Sequence, residues 1–275
     1  MYSGTTLTPI SGRVLGAHQK IDRLARGSLQ AVLTQNGVFP TAKEILHFEG
    51  EKGPDAIKRK SPAKDEPWHF YSPFDAADDK LVQIIGSHYD ELVRALLAKD
   101  RIRAAFEAAW LAHAITDGLT PAHHFPYEEK LAELRGGEGN ESRATIKEKL
   151  VMPGTTRRAQ MRNNWLMWGP RGLLTTHGMF EWGVAGIIAP LSVRHRRIQL
   201  TNDDIADLHR YGLLELFRLK AKEVAAQAMY DRYQRWGWTP VLARQVRRQL
   251  VPIIVRMVTL AWYAAAVDAG LAGDA

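Results

Sequence analysis

The sequence predicts an all-α fold, and three observations support that prediction. Apolar residues recur at helical spacing along most of the 275 residues. Convincing strands, with apolar and polar residues in strict alternation, are missing. Helix start signals are present, including Thr41 with Glu44 three residues later and Pro240 directly after Thr239.

In chain order, the apolar pattern predicts helices over residues 14–32, 41–46, 76–97, 101–117, part of 165–190, 203–235 and 239 onward. Residues 49–67 are rich in glycine, proline and charge, which predicts a polar loop that contains Asp55. Residues 257–267 form the most apolar run, and we expect them to be a buried C-terminal helix. No run reaches the roughly 18 apolar residues that a membrane span needs.

Composition narrows the function classes. Lys and Arg number 37 against 30 Asp and Glu, so the net charge of +7 favours anionic partners such as phosphate esters, lipid headgroups or nucleic acid. The chain has no cysteine, which excludes disulfides and thiolate metal ligands. The first 20 residues do not resemble a secretory signal, and this favours a cytoplasmic location.

Residues 109–125, AWLAHAITDGLTPAHHF, carry the most informative motif of the chain. His113 and Asp117 are four residues apart, so on a helix their side chains share one face. Gly118 and Pro121 then end the helix, and the following turn supplies His123. Two imidazoles and a carboxylate in this arrangement are typical of a zinc site.

Four further residues or pairs join this motif as candidate metal ligands. His177 and Glu181 form a second pair at helical spacing, and His69 lies in the proline-bounded segment PWHFYSP. Asp55 lies in a Gly-Pro-Asp turn, and His18 lies in GAHQKID. Asp65, Asp75, Asp78 and Asp79 compete with Asp55 for the same role, and His124 adjoins His123.

Taken in order, these residues resemble the zinc-dependent phospholipase C family, whose superfamily includes the S1/P1-type nucleases. The motif His-x3-Asp-x3-Pro-x-His is matched by His113, Asp117, Pro121 and His123. The tripeptide HFY that begins at His69 and the His-x3-Glu motif at residues 177–181 also match the family. A final Glu favours the phospholipase branch, because the nuclease branch typically carries Asp there.

The resemblance implies a single multi-helix domain over residues 1–275, with two or three zinc ions in one cleft. It assigns the ions to three sets of residues: Asp55, His69, His113 and Asp117; His123, His177 and Glu181; and Asp117 with His18. It also implies an insertion at about 127–170 and a C-terminal helical extension at about 200–275. The predicted activity is phosphodiester hydrolysis by a metal-activated water that attacks phosphorus, with Asp55 as the residue that orients or deprotonates the water.

Two features depart from the family pattern. In secreted relatives the amino group and carbonyl of an N-terminal Trp complete the third zinc site, whereas the first Trp here is Trp68. We therefore expect that site to lack its usual partner. The second departure is the long gap between His123 and His177, which contains a basic, Trp-containing piece that could cover the cleft and select the substrate.

Several alternatives stay open at this point. The partner is predicted to be a phospholipid headgroup or another phosphodiester, with peripheral contact to a membrane surface. Single-stranded nucleic acid is the less favoured substrate, and a catalytically silent, zinc-stabilised binding protein is a third alternative. The sequence does not define the oligomeric state.

The remaining histidines, basic residues and tryptophans are expected to have structural or surface roles. His47, His88, His195 and His209 are expected to be structural or exposed, and the run VRHRRIQ at 193–199 is expected to be a solvated basic face. Trp165, Trp168 and Trp182 are expected to pack in the core, with one of them available to line an acyl or base pocket.

Overall fold

The predicted all-α class is confirmed. The computed structural model describes residues 1–4, 16–34, 38–50, 52–62, 65–139, 142–191 and 198–273, and about 70% of it is helical. Within these ranges there is no strand, only one isolated bridge between Leu33 and Ala272. His195 and most of the basic run 193–199 lie outside the described residues.

Thirteen α-helices occur in the described chain, with a 3-10 turn and a π-helical turn. The helices are α1 (Ala17–Leu29), α2 (Ala42–Glu49), α3 (Pro54–Lys60), α4 (Lys80–Leu97), α5 (Arg101–Gly118), α6 (Tyr127–Leu134), α7 (Ile146–Leu150), α8 (Arg157–Trp168), α9 (Leu173–Ile188), α10 (Asn202–Ala226), α11 (Met229–Trp236), α12 (Pro240–Gln245) and α13 (Val251–Asp268). The 3-10 turn is Pro121–His124 and the π-helical turn is Val246–Leu250.

Helix α5 runs through the centre of the bundle and packs against α2, α4 and α13. Its small buried residues Ala104, Ala108 and Ala112 allow neighbouring helices to approach closely. On α13, the buried Trp262 donates its indole N–H to the carbonyl of Ala108 at 3.0 Å. The C-terminal helices therefore share the main hydrophobic core with the N-terminal ones.

A second, smaller core lies under the region predicted to be an insertion. It is formed by Phe70, Tyr127, Leu131, Met152 and Met167. These side chains come from the segment before α4, from α6, from the loop before α8 and from α8 itself. The small core anchors α8 beside α9, the helix that carries the candidate ligands His177 and Glu181.

Two local predictions were wrong. Residues 54–60 form helix α3 rather than a loop, because Gly53 and Pro54 occupy the N-cap and first helical positions, where these residues suit a helix start. The helix predicted over 203–235 is divided in two, because Ala228 adopts a left-handed backbone conformation between α10 and α11. The helix predicted within 165–190 is confirmed as α9. The capping box of Thr41 and Glu44 is also present as predicted.

One stretch of the described residues, Pro240–Asp268, is long and apolar enough to cross a membrane by length and composition. Such a stretch alone is weak support for a membrane span, because core helices of globular proteins have the same character. Most of its residues are buried against the rest of the chain, including Trp262 and Tyr263.

Candidate metal centre

The end of α5 positions the central motif. His113 and Asp117 lie on one face of the helix, and both are buried. Gly118 ends the helix in tight contact, since a Cβ at this position would lie 2.5 Å from the Phe217 ring. The following 3-10 turn then directs His123 back toward Asp117, with 3.5 Å between His123 Nδ1 and Asp117 Oδ1.

His18, His113 and Asp117 form the first triad. The His18 and His113 rings stack with centroids 4.0 Å apart and planes 5° from parallel. His18 Nε2 lies 3.2 Å from Asp117 Oδ1, and His113 Nε2 lies 3.2 Å from Asp117 Oδ2. The two imidazoles thus approach different oxygens of one carboxylate, and the three residues together could hold a metal ion.

Two buried carboxylates stand behind the first triad. Glu49 ends α2 and accepts a hydrogen bond from His113 Nδ1 at 3.0 Å, while its Oε1 lies 3.8 Å from His18 Nδ1. Asp22 on α1 is close enough to Glu49 that burial and this second negative charge raise the pKa of Asp22 well above its usual range. The contact from Glu49 directs Nε2 of His113 toward Asp117.

The first triad is strongly charged. Burial opposes the charge on His113, but Glu49 and Asp117 outweigh burial and raise the pKa of His113. Burial also opposes the charge on Asp117, and here the Met1 amine and the surrounding histidines outweigh it and lower the pKa of Asp117 well below its usual range. Glu49 and Asp117 therefore favour a positive charge at this position, which either a protonated His113 or a bound cation would supply.

His123, His177 and Glu181 form the second triad. Glu181 Oε1 lies 2.8 Å from His123 Nε2 and 3.1 Å from His177 Nε2, and the two rings stack with centroids 5.0 Å apart. Its surroundings are aromatic: Phe70 and Tyr127 lie with ring centroids 6.2 and 5.4 Å from that of His177. Burial lowers the pKa of His123 to about 4 against the opposing effect of Asp117, so its imidazole is neutral, the form that binds metal.

The amino nitrogen of Met1 lies between the two triads. It forms an ion pair and hydrogen bond with Asp117 Oδ1 and lies 3.2 Å from Glu181 Oε1. Burial would lower the pKa of this amine, but Asp117, Glu181 and Asp55 raise it to about 10. The usual Trp is absent, as expected, and the Met1 amine lies beside Asp117 and Glu181 in this part of the site.

Asp55 and His69 complete the group. Asp55 is the second residue of α3, and its Oδ1 lies 3.7 Å from His113 Nε2. Its side chain is 24% exposed, the largest value among the carboxylates of the centre. The His69 ring lies 5.1 Å from that of His123, but Lys58 Nζ lies 2.6 Å from its Nε2, and burial together with Lys58 lowers the pKa of His69.

The structure therefore brings together all eight residues that the sequence singled out. They are His18, Asp55, His69, His113, Asp117, His123, His177 and Glu181. Within each triad, the three candidate ligand atoms lie within 4.8 Å of one another. Each triad could therefore hold a metal ion. In the described chain, His18 Nε2 and His123 Nδ1 face Asp117 and are buried without a hydrogen bond, and metal coordination would satisfy such atoms.

The competing residues lie in other contacts. Asp75 and Asp78 accept hydrogen bonds from backbone N–H groups of their own loop. His124 contacts the carbonyl of Gly118 at 2.8 Å, and the ring of His88 forms an ion pair with Glu107. The expectation of core packing was wrong for Trp165, Trp168 and Trp182, which are exposed.

Sequence reasoning missed four groups at the centre: Glu49, Asp22, Lys58 and the Met1 amine. A signal was available for two of them. Glu49 follows the buried Ile45 at helical spacing and ends a helix, where a negative charge is unfavourable. Asp22 follows His18 by four residues, the spacing also seen in the two recognised pairs.

Comparison with protein-family models, with curated proteins and with solved structures finds no significant match to this chain.

Proposed function

We propose that this protein is a metal-dependent phosphodiesterase that binds two or three zinc ions and resembles phospholipase C. The observation that supports the proposal is the convergence of the two triads on Asp117. His18 and His123 approach its Oδ1 at 3.2 and 3.5 Å, and His113 approaches its Oδ2 at 3.2 Å. A single carboxylate among three imidazoles is a suitable bridge between metal sites.

The charge of the centre supports bound dications. The carboxylates at the centre and behind it are Asp22, Glu49, Asp55, Asp117 and Glu181, and the cations near them are the Met1 amine and Lys58. Buried carboxylates are costly without compensating positive charge. The imidazole nitrogens favour zinc over magnesium or calcium, which take oxygen ligands.

Each residue has a defined task in the proposed reaction. Bound zinc ions would supply Lewis acidity toward phosphoryl oxygens and would make water more acidic. The carboxylate of Asp55, which is the most accessible at the centre, would accept a hydrogen bond from the attacking water and hold it in line with phosphorus. Glu49 would keep the His113 ring in one orientation throughout.

Metal analysis and turnover together test the proposal. We expect two or three zinc ions in the purified protein and hydrolysis of bis-p-nitrophenyl phosphate. His113→Ala and Glu181→Ala should each lose metal, and turnover should fall by at least about a thousandfold. His47→Ala is the matched control, because His47 is exposed on α2 and contacts Lys52.

The outcomes separate the three alternatives. A folded wild type without zinc would contradict the metal centre. Bound zinc without turnover would support a zinc-stabilised binding protein, in which chelation lowers the melting temperature. Release of phosphorylated headgroup from short-chain lecithin would support a phospholipase, whereas faster degradation of single-stranded DNA would support a nuclease.

A further inference from the structure

Large apolar side chains are exposed on α7, on α8 and just after α7. Met161 and Trp165 are 74% and 68% exposed, and these are among the highest values for large hydrophobic residues in the described chain. The group is Ile146, Leu150, Val151, Met161, Trp165, Leu166 and Trp168. We call it the insertion face. Scattered exposed apolar residues are ordinary, whereas a cluster of this kind marks an interaction surface.

The apolar side chains of α8 in the insertion face point to solvent, because the opposite side of this helix is bound to the rest of the protein. Met161, Trp165 and Trp168 follow one another at spacings of four and three, so they share one face of the helix. Asn163 donates hydrogen bonds to the carbonyls of Leu134 and Pro153 at 3.1 and 2.8 Å. These half-buried polar contacts fix the rotation of α8 about its axis.

A further hydrogen bond joins α8 to the end of α7. Trp168 donates its indole N–H to the carbonyl of Leu150 at 2.8 Å. Leu150 and Val151 are therefore held beside the tryptophan rather than on a separate loop. None of the five residues of α7 is buried, so this short helix contributes nothing to the core of the described chain.

Positive charge surrounds these apolar side chains. Residues 145–171 contain four arginines and two lysines against one acidic residue, Glu148, and of these cations Lys149 is paired with Glu66. Glu148 is occupied by the capping box of Thr145. Arg157, Arg158 and Arg162 are exposed, and no ion pair involves them within the described chain. The basic charge is thus free to act on an external partner.

We propose that the insertion face docks on the surface of an anionic lipid bilayer. Tryptophan side chains prefer the interface between water and hydrocarbon, where the ring is buried and the indole N–H stays near polar groups. Neighbouring arginines are attracted to anionic headgroups. This combination of exposed aromatic and aliphatic side chains with unneutralised positive charge matches an anionic membrane better than a basic or neutral partner.

Docking in this way would place the candidate metal centre close to lipid. Met167 on the inner side of α8 contacts the Tyr127 hydroxyl at 4.0 Å, and the Tyr127 ring lies 5.4 Å from that of His177. Helix α8, about 10 Å across, and the Tyr127 side chain therefore lie between the insertion face and the second triad. The proposal goes beyond the proposed function, because membrane binding does not require hydrolysis.

Vesicle sedimentation tests the proposal. The full chain is mixed with vesicles of phosphatidylcholine and phosphatidylglycerol, and separately with vesicles of phosphatidylcholine alone. We expect binding to the mixed vesicles that weakens with salt. The double variants Trp165→Ala/Trp168→Ala and Arg158→Gln/Arg162→Gln should each bind at least about tenfold more weakly.

Matched controls keep the test specific. Trp236→Ala removes an equally exposed tryptophan on α11, and Arg247→Gln/Arg248→Gln removes two exposed arginines in the π-helical turn. Both should bind vesicles within about twofold of wild type. Far-UV circular dichroism spectra should show that the insertion-face variants are folded. Their hydrolysis of bis-p-nitrophenyl phosphate should be unchanged, because that soluble substrate needs no membrane.

Three results would overturn the proposal: no binding of the wild type to mixed vesicles, equal binding by the insertion-face variants, or equal loss in the controls. Binding of single-stranded DNA that is lost in the same variants, without vesicle binding, would assign the face to nucleic acid instead. Vesicle binding by a protein that hydrolyses no phosphodiester would sustain this proposal while the proposed function fails.

Discussion

The two triads use the same kinds of ligand but have different surroundings. Behind the first triad stand carboxylates, with Glu49 hydrogen-bonded to His113 and Asp22 near Glu49. Behind the second triad stand the rings of Phe70 and Tyr127. The first centre is therefore deeply buried and rich in negative charge, whereas the second has one carboxylate of its own, on Glu181.

This difference predicts a division of labour. Carboxylates behind a ligating histidine make it more basic and fix its orientation, so the first triad should hold its metal more tightly. A dication with only Glu181 as a charged ligand keeps more positive charge, which suits an anionic phosphate. The variants below test whether the two triads differ in metal affinity and stability. The largest expected effect comes first.

Asp117→Asn should have the largest effect, because Asp117 contacts both triads and the Met1 amine. Removing one partner of a buried ion pair costs about 3–5 kcal/mol of unfolding free energy. We expect a loss of that order in the metal-free protein, together with loss of metal from both triads. Urea unfolding and metal analysis measure the two effects, with the exposed Asp203→Asn as control. Retention of full metal content would contradict the bridging role.

Blocking the Met1 amine should have the second-largest effect, a loss of folding stability. An amine pKa raised from 8.0 to about 10 corresponds to about 3 kcal/mol of stability, at about 1.4 kcal/mol per unit. Because the folded-state pKa is the higher one, this contribution is complete below pH 8 and disappears as the pH rises through about 10. A Gly-Ser extension ahead of Met1 should therefore destabilise the chelator-treated protein at pH 7.

Thermal melts across this pH range measure the effect, with the same extension at the other end of the chain as control. The curves of the extended and unextended proteins should converge above about pH 10. Curves that stay parallel would show that the extension acts by steric disturbance and not through the charge of the amine.

Glu49→Gln should weaken metal binding at the first triad only. The amide still accepts a hydrogen bond from His113 Nδ1 but carries no charge, so metal affinity at the first triad should fall by about 10- to 100-fold. The second triad should keep its affinity. Glu107→Gln is a matched control, since Glu107 is also buried and pairs with His88 away from the centre. Stepwise zinc titration against a competing chelator measures both sites, and an equal loss at both would refute the contrast.

Lys58→Met should have the smallest effect, and in the opposite direction. The ammonium of Lys58 contacts His69 Nε2 at 2.6 Å, so it competes with a metal for that nitrogen. Removing a hydrogen bond of roughly 1 kcal/mol should strengthen zinc binding a few-fold. The same titration measures the gain, with the exposed Lys60→Met beside it. Weaker binding in Lys58→Met would mean that the lysine supports the site.

The sequence predicted those parts of the molecule that depend on local spacing. His113 and Asp117 share a helix face because they are four residues apart, and Thr41 with Glu44 forms the predicted cap. Glu49 escaped prediction because its partner His113 lies 64 positions further along the chain, and such a contact exists only after the helices pack. Trp165 was expected in the core because its size favours burial, but the rotation of α8 is set by distant polar contacts.

The position of α13 has a consequence for biosynthesis. The helices that carry His18 and His113 both pack against α13, and the indole of Trp262 is bonded to the backbone of α5. A growing polypeptide releases its N-terminal part from the ribosome first. We therefore expect metal loading to follow synthesis of α13, so that nascent chains truncated before this helix remain unable to capture a metal ion.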